Sequence, residues 1–181
     1  MEVTHTSIPD VLLLKPKVFA DDRGYFLESF NSHVFAEKVN ATKFVQDNES
    51  QSSRGVLRGL HYQLSPMAQT KLVRVVRGKI WDVAVDIRKS SPTFGKWTAN
   101  ELSEENKCQM LIPAGFAHGF VVLSDQTIVQ YKVDNFYSKE HDRGIRFDDP
   151  ALGIKWPVIQ GLILSEKDKA LPTLAMAEVF A

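Results

Sequence analysis

The sequence predicts a mainly β fold, a sandwich or a barrel. Three observations carry this expectation: long runs rich in Val and Ile, frequent Gly and Pro turns between them, and few, short helical signals. Along the chain, "NSHVFAEKVN" (31–40) reads as two helical turns. "GVLRGLHYQ" (55–63) has the composition of a strand. "KLVRVVRGKIWDVAVDIRK" (71–89) is extended, and from Trp81 to Ile87 it alternates, with Trp81, Val83, Val85 and Ile87 against Asp82, Ala84 and Asp86. "SPTFGKW" (91–97) and "IPAGF" (112–116) are turns. "KCQMLIPAGFAHGFVVLS" (107–124) and "QTIVQYKVDNFY" (126–137) are further extended runs, and "LSEKDKALP" (164–172) is a single helical turn. Period-two alternation in such a fold separates an inner from an outer face, and a pocket belongs on the inner one.

The 181 residues suffice for one domain with a sizeable core, and nothing divides the chain, so residues 1–181 read as a single domain. Lys+Arg and Asp+Glu both number 22, which argues against a broad electrostatic footprint for nucleic acid. A local basic pocket for one small anion remains open. Cys108 is the one cysteine, so no internal disulfide forms, and a reducing cytoplasm fits. The start of the chain has no basic cluster, and its apolar run, Val11 to Leu14, is four residues long. It reads as neither a signal peptide nor a membrane span.

The stretch "GVLRGLHYQ" places Arg58 and His61 in an apolar run beside two glycines. Strict alternation puts Leu57, Gly59, His61 and Gln63 on one face, with Val56, Arg58, Leu60 and Tyr62 on the other. Arg58 and His61 share a pocket only if the strand bulges, which Gly59 permits. Two uses fit His61: a structural, hydrogen-bonded strand histidine, or a base. His118 in "IPAGFAHGF" resembles the second half of a cupin signature. A cupin metal site needs H-x-H and a carboxylate; here His61–Tyr62–Gln63 and Lys71 stand instead. An ammonium cannot ligate and repels a divalent cation, so these positions suit metal-free proton transfer, with Lys71 supplying positive charge. Tyr131 fits either a half-buried strand tyrosine or a phenolic proton donor. Asp168 fits either a capping box with Ser165 or a carboxylate that orients a histidine. Arg23, Gln46, Asn48, Arg58 and Lys167 are each readable as solvated surface, and together as a clamp for a diphosphate.

Six segments in order, "DDRGYFLESF", "FVQDNESQSSRGVLRGLHYQ", "KLVRVVRGKIWDVAVDIRKSSPTFGKW", "IPAGFAHGFVVLS", "YKVDNFYSKEHDRGIRFDDP" and "LSEKDKALP", fall within residues 7 to 172, the first starting at Asp21. In them the chain resembles the dTDP-4-dehydrorhamnose 3,5-epimerases. The resemblance implies a cupin-type jelly-roll and a homodimer whose N-terminal strands are exchanged. It implies a dTDP-4-keto-6-deoxy sugar substrate inverted at C3 and C5, without metal or redox cofactor; the alternatives are a related epimerase acting at only C3 or only C5, a metal-dependent cupin oxygenase, and a non-catalytic cupin that binds a sugar nucleotide. His61 then matches the base, Asp168 its carboxylate partner, Tyr131 the acid on the opposite face, and Lys71 the cation beside the keto oxygen. Arg23, Glu28, Gln46, Asn48, Arg58, His118 and Lys167 match substrate contacts, and Tyr137 the aromatic that stacks on thymine. Asp142 stands where the family usually carries glutamate, one methylene longer. The loop "SPMAQ" (65–69) departs from the family's usual spacing and has no assigned role.

Overall fold

A computed structural model describes residues 1–157 and 160–181. Among the described residues, thirteen strands and two short helices follow in order: β1 (Glu2–His5), β2 (Leu12–Lys15), β3 (Val18–Asp21), β4 (Gly24–Leu27), α1 (Ser32–Lys38), β5 (Gln46–Ser52), β6 (Leu57–Gln63), β7 (Lys71–Arg77), β8 (Lys79–Asp86), β9 (Trp97–Ser103), β10 (Gln109–Ile112), β11 (Phe116–Val122), β12 (Thr127–Val133), β13 (Asp142–Gly144) and α2 (Glu166–Lys169). They build a six-stranded sheet, β1-β2-β10-β7-β12-β5, against a five-stranded one, β13-β6-β11-β8-β9. The strand pairs are antiparallel, as in the jelly-roll sandwich implied above.

Alternation sets the layers. From the six-stranded sheet Val73, Val75, Met110, Ile112 and Val129 point inward, and from the other Ile80, Ala84, Leu102, Phe116 and Phe120 meet them. Each such side chain other than Ala84 contributes roughly 1.5–3 kcal/mol on burial. The opposite face of β8, Val83 and Val85, is equally dry. It packs under Ile145, Leu152, Trp156 and Phe180 from the C-terminal quarter of the chain. The alternation of β8 therefore separates two buried faces, with Asp82 among the inward residues. On the far side, α1 lays Phe35 over Leu14, Leu72 and Leu111. Asn31 caps this helix by accepting the amides of His33 and Val34, as its polar character favours.

The bulge that Gly59 permits is present. His118 pairs with His61 and Phe120 with Arg58: two steps along β11 against three along β6. One extra residue reverses the alternation, so Arg58 and His61, out of phase in a regular strand, share one face. The backbone of Gly59 has φ +119°, and a Cβ there would lie 2.6 Å from Gly119 Cα and 2.7 Å from the His118 carbonyl oxygen. Only glycine fits.

Hairpin β3–β4 forms a separate two-stranded sheet. It leaves Phe19 53%, Tyr25 58% and Phe26 68% exposed.

Candidate active site

A cleft of about 640 Å³ opens between the sheets, lined from one side by Arg58, His61 and His118 and from the other by Asn48, Lys71 and Tyr131. The segment before and within α2 closes one wall with Ser165, Lys167 and Asp168. Register explains the grouping. Tyr131 pairs with Val73, and Val133 with Lys71, so Lys71, Val73 and Tyr131 share the inward face. Tyr131 also pairs with Asn48 and Val133 with Gln46, which turns alternate residues of β5 toward the cleft.

Asp168 lies in the turn that Ser165 caps, and it does more. Ser165 Oγ accepts its amide N–H at 3.1 Å, which starts α2. Its carboxylate is buried at 4% exposure and lies 2.5 Å from His61 Nε2. Burial pushes the Asp168 carboxyl up, but hydrogen bonding from His61, the His61 charge, Ser165 and the Gly59 amide outweigh it and hold it below the ordinary carboxylate range. An ionised carboxylate only accepts, so His61 Nε2–H donates, and in the neutral imidazole Nδ1 carries the free lone pair.

A second histidine–carboxylate pair lies beside the first. His118 Nε2–H donates to Asp82 Oδ1 at 2.7 Å, with Asp82 fully buried. Burial lowers the His118 pKa; Asp82 opposes this, while Lys71 and His61 add to it. His118 is therefore held neutral. Lys71 is 8% exposed. Its ammonium donates to the His61 carbonyl at 3.3 Å. Burial pulls its pKa down to about 8, Asp142 and Asp82 raise it, and Lys167 lowers it further. Burial likewise raises the Tyr131 pKa, with Arg58 pulling against it and Asp142 adding to it, so the phenol keeps its proton at neutral pH.

At the mouth, Arg58 donates to Ser52 Oγ through Nε at 3.2 Å and Nη2 at 3.1 Å. Gln46 Nε2 donates to Asn48 Oδ1 at 2.8 Å. Asp142 Oδ2 accepts from Lys167 Nζ at 2.5 Å and from the Tyr137 hydroxyl at 3.2 Å. Asp142 thus holds two of the other candidate residues at the rim.

The structure gathers Asn48, Arg58, His61, Lys71, His118, Tyr131, Lys167 and Asp168 in one cleft, with Gln46, Tyr137 and Asp142 linked to its edge. Arg23 and Glu28 do not reach it. Arg23 sits at the exposed tip of the β3–β4 hairpin, paired with Asp21 at 2.6 Å. Glu28 lines a depression on the outer face of the six-stranded sheet with Phe26 and Phe30. Sequence reasoning missed Asp82, which it read only as the polar half of an alternation, and Ser52. The available signal for Asp82 was a charged residue flanked by strand residues that are apolar on both faces.

The family model for dTDP-4-dehydrorhamnose 3,5-epimerase matches residues 5–176. A dTDP-4-dehydrorhamnose 3,5-epimerase of Shigella flexneri is 62% identical over 169 residues, covering 93% of each chain. Among solved structures, dTDP-6-deoxy-D-glucose-3,5-epimerase from Legionella pneumophila, in complex with dTDP-4-keto-L-rhamnose, superposes with a TM-score of 0.94 at 46% identity, over 97% of this chain and 93% of that one. The dTDP-4-dehydrorhamnose 3,5-epimerase from Bacillus anthracis, with TDP and PPi bound, gives 0.92 at 50% identity, over 95% and 98%. Sequence and fold agree over nearly the whole length, and the cleft described above lies within the matched span: the chain belongs to the dTDP-4-dehydrorhamnose 3,5-epimerase family, a family of isomerases.

Proposed function

We propose that this chain, as one domain, inverts C3 and C5 of dTDP-4-dehydro-6-deoxy-D-glucose to give dTDP-4-dehydro-L-rhamnose by removing a proton on one face of the sugar and returning one on the other. The observation that carries the reading is the division of the cleft. The His61–Asp168 pair stands on the five-stranded side, and Tyr131 on the six-stranded side. Both carbons neighbour the C4 ketone, so loss of either proton places negative charge on the C4 oxygen. His61 Nδ1 takes the proton, and Asp168 stabilises the imidazolium that forms. Lys71 meets the enolate charge, an interaction stronger in the transition state than in the ground state. Tyr131 then protonates the same carbon from the far side. The ketone supplies the acidity, so the steps assigned to these residues call for neither metal nor redox cofactor.

Arg58, His118, Lys167, Asn48 and Gln46 serve the diphosphate and sugar, and Tyr137 stacks on the pyrimidine. Arg23 and Glu28 serve the site of a second copy. The exposed aromatic hairpin supports a homodimer in which β3–β4 crosses to the neighbour. The single cysteine suits the cytoplasm, and no described helix is long and apolar enough to cross a membrane.

Incubation with the 4-keto sugar nucleotide in deuterated water tests the reading. Label at C3 and C5, located by NMR, is expected, and the His61→Ala variant should lose both. Label at one carbon alone would replace the double epimerase by a single one. Unchanged exchange in His61→Ala would remove His61 as base.

A further inference from the structure

Gln63 occupies the second histidine position of the H-x-H pattern, yet its side chain does not face the cleft chemistry. It is 4% exposed. Its Nε2 donates to the Met67 carbonyl at 2.6 Å and to the Phe136 carbonyl at 3.1 Å. Its Oε1 accepts the Ser138 amide at 2.7 Å. One buried amide therefore holds the backbone on both sides of Tyr137, and ties it to the "SPMAQ" loop. Two further amides act on the same segment. Gln46 Oε1 accepts the Tyr137 amide at 3.2 Å, and Gln69 Nε2 donates to the Asn135 carbonyl at 2.8 Å. Asn135 Nδ2 in turn donates to the Pro66 carbonyl at 3.0 Å. The Tyr137 ring, by contrast, is exposed and has one side-chain hydrogen bond among the described residues, to Asp142. Its position is set by its backbone.

We infer that Gln63 is a positioning residue for nucleotide recognition: through residues 136–138 it fixes Tyr137, so the strand that carries the base also carries the anchor of the base-stacking aromatic. A buried amide with all three contacts made is costly to disturb, and the segment it holds has no regular secondary structure of its own. A pre-set ring loses less freedom when ligand binds. The inference rests on the reading of Tyr137 as the pyrimidine contact.

A double-mutant cycle separates the two. Calorimetric titration of the full-length chain with dTDP and, separately, with inorganic pyrophosphate is run on wild type, Gln63→Leu, Tyr137→Ala and the double variant. The expectation is about a tenfold loss of dTDP affinity in Gln63→Leu. Pyrophosphate affinity should be unchanged, and the loss should vanish in the Tyr137→Ala background. With the nucleotide sugar, KM should rise about tenfold while kcat falls by less. Equal losses for dTDP and pyrophosphate, or the same loss with and without Tyr137, would make Gln63 a general structural residue and overturn the inference. A Tyr137→Ala variant with wild-type dTDP affinity would overturn the stacking reading first, and the inference with it. If Gln63→Leu does not fold, Gln63→Glu carries the same test: it keeps the acceptor for Ser138 and loses both donors.

Discussion

At Lys71 two opposing effects meet in one side chain. Burial favours the neutral amine, the charges of Asp142 and Asp82 favour the ammonium, and the balance stands at about pH 8. The cation proposed to meet the enolate is present below that pH and lost above it. The kcat/KM profile should therefore fall on the alkaline side near pH 8. Lys71→Arg keeps its charge to above pH 12 and should remove that limb, and a limb persisting near pH 8 in the arginine variant would sink the assignment. Asp82→Asn, by taking away one supporting charge while Asp142, Lys167, His61 and His118 stay, should move the limb to lower pH. Tyr131 makes a different prediction. Tyr131→Phe removes the donor from one wall only, so deuterium exchange driven by His61 should survive better than epimerisation. Equal losses of the two, as large as in His61→Ala, would refute the division of labour. These residues were legible as chemical types in the sequence. What was not legible was pairing across distance: His118 and Asp82 lie 36 positions apart, and nothing local to either names the other.

At the scale of the element, β6 is decisive. A regular strand sends Arg58 and His61 to opposite faces, and the bulge brings them together. The sequence signalled this by the out-of-phase pair and the glycine between them. Gly59→Ala would force a Cβ against Gly119 and the His118 carbonyl at a backbone angle that disfavours side chains. We expect a loss of about 3 kcal/mol or more in denaturant unfolding, with activity lost even where the variant folds. An alanine variant with near wild-type stability and kcat would show that the bulge is not required. Strands β7, β8, β11 and β12 were readable because most of their inward positions are apolar, with Lys71, Asp82, His118 and Tyr131 the exceptions. Strand β5, "QDNESQS", was not readable as a strand. Its inward residues Gln46, Asn48, Ser50 and Ser52 are all polar, Asn48 and Ser50 lining the cleft, and its outward ones are solvated, so no apolar alternation survives. Helix α1 was legible as the segment "NSHVFAEKVN", and α2 through Ser165 and Asp168. The single turn of α2 matters because it delivers Asp168.

For the whole molecule, the outlying hairpin is the element that the sandwich does not explain. Phe19, Tyr25 and Phe26 have no core to enter in this chain, and Arg23 has no cleft. If the hairpin completes a neighbour's site, two defective chains should repair each other. Arg23→Ala and His61→Ala subunits, unfolded and refolded together, should recover about a quarter of wild-type activity, since half the dimers are mixed and each holds one intact site. No recovery in demonstrably mixed dimers would place Arg23 at its own subunit's site or at none. The N-terminal strands left little trace in the sequence because each is four residues long, too short for a period to show.

The separation of the two sheets has a stereochemical meaning. A catalyst with both proton-handling groups on one sheet would return each proton to the side it came from. It would scramble isotope and leave configuration untouched. If His61 in one layer takes the proton and Tyr131 in the other returns one, the handedness of the product is written in the architecture, because the two groups then meet each carbon from opposite sides of the sugar.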